Sequence, residues 1–220
     1  LKAKPASITV KNCNANGVTV KASSIFGGFI GLGYADAITI DGCTASGITL
    51  AATGPQNNGQ NNGQNNGVYY INNTNSQFTL YGVGGIIGAT HQAKPTIRNI
   101  TLNGLRLNIL NITNSNDTRF GFGGIVGSLG VNGDGTLTNI NMEGTIELSG
   151  DGSSKYPPVG GLVGNLYNHN NSEIQLTISG VNIATETGSK LSQRGYYDGG
   201  LIGLTHRPTH LRIGGAAENA

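Results

Sequence analysis

Gly27-Gly28-Phe29-Ile30-Gly31, Gly84-Gly85-Ile86-Ile87-Gly88, Gly123-Gly124-Ile125-Val126-Gly127, Gly160-Gly161-Leu162-Val163-Gly164 and Gly199-Gly200-Leu201-Ile202-Gly203 are five copies of one phrase, Gly-Gly-apolar-apolar-Gly. A second phrase alternates with it. Cys13-Asn14-Ala15-Asn16-Gly17-Val18-Thr19-Val20 returns as Cys43-Thr44-Ala45-Ser46-Gly47-Ile48-Thr49-Leu50 and as Ile100-Thr101-Leu102-Asn103-Gly104-Leu105-Arg106-Leu107. Looser copies follow at Ile140 to Gly144, Leu176 to Ile183 and Leu211 to Gly215. Repetition at this period implies a unit that buries its apolar face only by stacking on its neighbours.

Spacing separates a rigid half of the repeat from a free one. From the first glycine of a pair to the glycine of the next second phrase the interval is 20 residues (Gly27 to Gly47, Gly84 to Gly104, Gly160 to Gly180) or 21 (Gly123 to Gly144). The return intervals are 10, 37, 19, 16 and 19 residues. Insertions therefore enter at one point of the unit and line up along one edge, where loops tolerate length change and carry binding.

Within the second phrase apolar and polar residues alternate, Thr, Val, Ile and Leu dominate and Gly punctuates, which reads as short strands joined by turns. The pattern predicts an inward column of Cys13, Cys43, Ile100, Ile140, Leu176 and Leu211, and a second of Ala15, Ala45, Leu102, Met142, Ile178 and Ile213. Asn14, Thr44, Thr101, Asn141 and Thr177 then face solvent. The expected fold is all-β: a parallel β-solenoid of about five coils, right-handed by the crossover rule, with variable loops along one edge. Residues 1–220 read as a single repeat domain cut from a longer protein. The chain opens Leu1-Lys2-Ala3-Lys4, with neither an initiating Met nor a signal-peptide pattern.

Composition narrows the function classes. Of 220 residues 37 are Gly and none Trp; 36% are hydrophobic and 11% charged, with a net charge of +2. No basic run marks a nucleic-acid surface, and no apolar stretch approaches the roughly 18 residues that a membrane helix needs. The tetrapeptide Gln-Asn-Asn-Gly, written three times between Gln56 and Gly67, has no apolar anchor, so residues 55–67 read as a flexible spacer.

Gly161-Leu162-Val163-Gly164 and its four variants resemble the GLUG motif, a repeat of large bacterial surface and secreted proteins, including filamentous-haemagglutinin-like adhesins and some immunoglobulin-A proteases. The likeness covers about Phe26 to Gly215. It implies a folding unit without a catalytic role of its own, placed outside the cell or on the bacterial surface. Asp198 departs from the pattern, standing where Phe26, Val83, Phe122 and Val159 stand in the other copies.

Aromatic residues concentrate in the return segments. Tyr69, Tyr70, Tyr81, Tyr156, Tyr196 and Tyr197 are the candidate binding residues, because a Tyr ring offers an apolar face and a polar tip for stacking on sugars or anchoring a protein. The same rings can instead close loops over the core. Acids are the other candidates: a β-helix polysaccharide lyase or glycoside hydrolase needs two or three converging carboxylates. Asp36 and Asp41 share one unit, and Asp134 and Glu143 another, but neither pair recurs or has an evident Arg or Lys beside it. His206 and His210 are split by Pro208, which argues against a helical metal site. His91 and His169 read as residues of surface turns.

Cys13 and Cys43 hold one position in consecutive units, at a separation a disulfide accepts. Cys also serves as a small apolar residue in such a column, and free buried thiols are the expectation. No cofactor or metal is implied. The sequence favours a non-catalytic adhesin segment whose partner is a host glycan or protein or a second copy, with a carbohydrate-active enzyme as the alternative.

Overall fold

The structure, a computed structural model, describes residues 4–22, 25–53, 81–110, 120–150, 158–169, 173–185, 190–192, 198–206 and 210–214. All their regular structure is strand. Ahead of the first glycine phrase come β1 (Ser7–Lys11), β2 (Asn14–Asn16) and β3 (Thr19–Ala22). The first repeat supplies β4 (Ile25–Gly27), β5 (Ile30–Gly33), β6 (Ala37–Asp41) and β7 (Thr44–Thr53); the second supplies β8 (Tyr81–Gly84) and the long β9 (Ile87–Leu110). The third gives β10 (Phe120–Gly123), β11 (Val126–Val131) and β12 (Gly135–Gly150). The fourth gives β13 (Val159–Gly160), β14 (Val163–Asn168), β15 (Gln175–Thr185) and β16 (Lys190–Ser192), and the fifth β17 (Asp198–Gly199), β18 (Ile202–His206) and β19 (His210–Ile213).

Every described pairing is parallel and joins one repeat to the next. The larger sheet curls along the seven-strand path β18-β14-β11-β9-β12-β15-β19, and a five-stranded sheet runs β17-β13-β10-β8-β4. No helix among the described residues is long and apolar enough to cross a membrane.

Alternation decides what is buried. Ile38, Ile40, Cys43, Ala45, Ile48 and Leu50 point into the core, and Ile97, Ile100, Leu102, Leu105 and Leu107 lie beside them one repeat on. Each such buried aliphatic side chain contributes roughly 1.5–3 kcal/mol relative to exposure. The outer positions between them are Thr, Asn and charged residues, including a threonine ladder of Thr9, Thr39, Thr96, Thr136 and Thr177.

Two corners bend the strands. Asn12, Gly42, Asn99, Asn139 and Gly180 hold equivalent positions with φ between 51° and 64°, and Gly17, Gly47, Gly104 and Gly144 form a second column with φ between 58° and 74°. That left-handed backbone costs an ordinary L-residue about 1–2 kcal/mol, and Gly and Asn are the residues that adopt it readily. At the glycine phrase the chain folds the small sheet straight onto the large one. A Cβ on Gly88 would stand 2.6 Å from the Phe26 nitrogen, and one on Gly203 would stand 2.7 Å from that of Val159. Backbone packs on backbone there, and the phrase keeps glycine for that reason.

The parallel all-β expectation holds, but the register fails in the last two copies. Ile140 pairs with Val181 and Met142 with Ile183, whereas Leu176 lies beside Gly135 and Leu211 beside Leu176. The true columns are Cys13, Cys43, Ile100, Ile140, Val181 and Ala15, Ala45, Leu102, Met142, Ile183. Asn182, not Thr177, follows Asn141. Gly180 belongs to the first corner, and Thr185 takes the place of Gly144. The rigid half therefore carries four extra residues in the fourth repeat, between Asn168 and Gln175. An alternating strand has no unique phase, so Leu176-Thr177-Ile178 imitates the phrase it precedes. Both thiols are free; Cys43 is buried with its sulfur 3.5 Å from the Cys13 nitrogen, while Cys13, in the first layer, is exposed.

Candidate functional site

The strands fix where the variable segments leave and rejoin the sheets. Thr53 pairs with Leu110 and Ile109 with Gly150, so the departure points lie side by side. The arrivals β8, β10, β13 and β17 are successive strands of the small sheet. In sequence, two residues separate β3 from β4 and 27 separate β7 from β8. The backbone of Tyr81 is paired with Phe120 at this edge. Tyr69, Tyr70, Tyr156, Tyr196 and Tyr197, and the tract at 55–67, lie outside the described residues.

The candidate acids have partners that sequence did not show, which corrects the reading of Asp36 and Asp41 as lacking basic neighbours. Arg98 grips Asp41 Oδ2 through Nη2 at 2.8 Å and Nε at 3.0 Å, and Asn99 Nδ2 donates to Oδ1 at 2.8 Å. Those hydrogen bonds, Arg98 first, hold the Asp41 carboxyl below the usual carboxylate range. Lys4 Nζ lies 3.0 Å from Asp36, and Arg106 Nε lies 3.0 Å from Glu147. Glu143 accepts from Asn141. The Asn141–Glu143 bond lies within β12, and the other contacts tie neighbouring repeats together. Among the described residues no three His, Cys, Asp or Glu side chains come together as a metal site.

Two features escaped the sequence reading. Glu173 and Gln175, which follow the insertion in the fourth repeat, line a hollow of about 580 Å³ with Asp134, His210, Leu211 and Arg212. There Asp134 accepts the Gln175 amide at 2.7 Å and Glu173 pairs with His210.

The second feature is a column of equivalent positions in which the His91 and Tyr167 rings are buried. The residue seven places after the first glycine of each pair is Tyr34, His91, Gly130, Tyr167 or His206; the strand registers stack Gly130, Tyr167 and His206 and set His91 opposite Gly130. His91, expected at a surface turn, is 1% exposed. It occupies a bulge in β9, where His91 and Gln92 both fall opposite Gly130 and Gln92 takes φ 51°. The ring centroids of His91 and His169 are 4.2 Å apart, edge to face. Tyr167 lies 4.5 Å from His169, and Tyr34 lies 5.7 Å from His91. Gly130 leaves room for this group: a Cβ there would stand 2.6 Å from the Tyr167 hydroxyl. Thr90, Ser128, Asn165 and Asn168 are also buried nearby on β9, β11 and β14. Lys4 closes one end, its Nζ 5.4 Å above the Tyr34 ring and 2.5 Å from the Gln92 carbonyl oxygen. Comparing the sevenths across copies was the signal that would have found this column.

None of the family models, curated proteins or solved structures compared with this chain matches it.

Proposed function

We propose that the chain winds as a right-handed parallel β-solenoid of about five coils and serves as a non-catalytic, GLUG-like repeat segment of a bacterial surface or secreted adhesin. Its variable edge binds a host glycan or protein, or a second copy. The observation that supports this reading is the side-by-side stacking of the departure and arrival strands, which brings the ends of the variable return segments to one edge. The ion pairs of Asp36, Asp41 and Glu147 support it, since each carboxylate is engaged between repeats.

The test is a panel of host glycans and extracellular proteins presented to the purified chain. Replacing Tyr69, Tyr70, Tyr196 and Tyr197 by Ala should leave folding intact and weaken attachment by roughly 1–3 kcal/mol per ring that anchors the ligand. Unchanged attachment in that variant would sink the Tyr edge. One observation favours a second reading, a carbohydrate-active enzyme: the hollow that holds Asp134 and Glu173. Depolymerisation of a polysaccharide by the wild-type chain, lost in Asp134→Asn and Glu173→Gln, would establish it in place of the first.

A further inference from the structure

We propose that Cys13 and Cys43 are an oxidisable pair that closes to a disulfide and clasps the first layer of the stack to the second. They are the only two cysteines of the chain, and they stand at the same position of adjoining strands, bracketed by the pairs Lys11–Asp41 and Asn14–Thr44. The ladder is tight on both sides of them. The Asn12 amide donates to the Asp41 carbonyl oxygen at 2.9 Å, and the Thr44 amide donates to that of Cys13 at 3.0 Å. Parallel neighbours in such a ladder have Cα atoms roughly 4.8 Å apart, inside the range of about 4.4–6.8 Å that a disulfide accepts. The buried sulfur already leans toward its partner: the Cys13 amide donates to Cys43 Sγ at 3.5 Å, and that sulfur lies 3.9 Å from the Val10 carbonyl oxygen, so the Cys43 thiol reaches into the first layer.

The pair stands where the stack is least held. Among the described strands β1, β2 and β3 pair on one side only, with β6 and β7, and Ile8 and Val10 are partly buried where Ile38 and Ile40 beside them are fully so. Deeper in the same column the residues are Ile100, Ile140 and Val181, so cysteine replaces an aliphatic side chain only at the two levels that the bond would join. A cross-link between residues 30 positions apart also restricts the unfolded chain. Exposure sets the order of events, since Cys13 is exposed and Cys43 buried. With a low-molecular-weight disulfide as oxidant, Cys13 gives its proton to solvent and its thiolate attacks one sulfur of the oxidant; a mixed disulfide forms, the oxidant's own S–S bond breaks and one thiolate leaves. Cys43 then loses its proton and attacks the Cys13 sulfur, forming the Cys13–Cys43 bond and expelling the second thiolate. Both leaving thiolates take up protons, so two protein thiols are oxidised by two electrons and one disulfide is reduced to two thiols.

The experiment incubates the reduced chain with oxidised glutathione under native conditions and follows free thiols, intact mass, a non-reducing peptide map and amide hydrogen exchange. Both thiols should disappear, the mass should fall by two hydrogens with no glutathione retained, and the map should join Cys13 to Cys43 within one chain. Exchange at the Asn12, Gly17 and Thr44 amides, which bond across the two layers, should slow roughly tenfold or more and recover with dithiothreitol. Cys43→Val, which installs the residue type that the column carries at Val181, should stop at one glutathione on Cys13. Wild-type chain that keeps both thiols, that retains glutathione on Cys13, or that links only between chains overturns the proposal.

Discussion

Asn139 donates its side-chain amide to the Asn99 side-chain oxygen at 3.2 Å, and both residues stand in left-handed backbone with φ near 53°. One residue type thus satisfies the corner twice, by tolerating the backbone and by bonding to its counterpart in the next repeat. Asn99 continues the chain of contacts to Asp41. Asn99→Val should therefore destabilise by roughly 2–3 kcal/mol, from about 1–2 for the strained backbone and about 1 for the lost hydrogen bonds. Asn99→Gly should cost only the hydrogen-bond part. Denaturant melts that rank the two variants equally would refute the backbone argument.

The core register can be tested with charges. Ile100 and Ile140 are each 1% exposed and sit side by side, so Ile100→Asp and Ile140→Asp should each cost several kcal/mol, because an unpaired charge enters a dry core. Thr101→Asp, on the outer face, should cost far less. Val181, next in the column, is only partly buried, so Val181→Asp should cost less than Ile140→Asp. Thermal melts that rank Thr101→Asp with Ile100→Asp would refute the inward column.

The glycine seam makes a prediction with an internal control. A Cβ on Gly161 would collide with the Gly200 carbonyl oxygen of the next repeat, whereas one on Gly200 meets nothing within 4 Å. Gly161→Ala should destabilise by about 1–3 kcal/mol or more, as over-packing against backbone does, while Gly200→Ala should be near neutral. Both positions are the second glycine of their phrase, so a similar loss in the two would mean that close approach is not what selects glycine.

Asp41 should govern part of the acid limb. Its carboxyl is held low in the folded chain by Arg98 and Asn99. A depressed folded pKa contributes stability that is present above the unfolded value of about 3.9 and is lost as pH falls through the folded one. Asp41→Asn should be less stable than wild type at pH 7, and the gap should narrow by pH 3. A gap that is constant with pH would assign the effect to packing instead.

The repeats were legible because glycine at the seam and alternation in the strands are both demanded by backbone geometry. Ile100 beside Ile140 followed directly from them. The fourth repeat was not legible, since Gly180 at one corner looks like Gly144 at the other and the four extra residues hide the difference. The ion pairs of Asp41 and Asp36 depend on lateral neighbours, Arg98 and Lys4, at sequence distances that no local pattern encodes. His91 was misplaced because it was read alone, while its setting comes from Gly130 and His169 in later copies.

A seam closed by backbone asks only that its own positions stay glycine. Each layer therefore meets its neighbour through the same bonds, whichever copy that neighbour is. Unequal crossing-over between copies of the coding sequence can then add or delete a layer without a new interface having to arise. Copy number becomes a ruler, lengthening the stack by about 4.8 Å per layer.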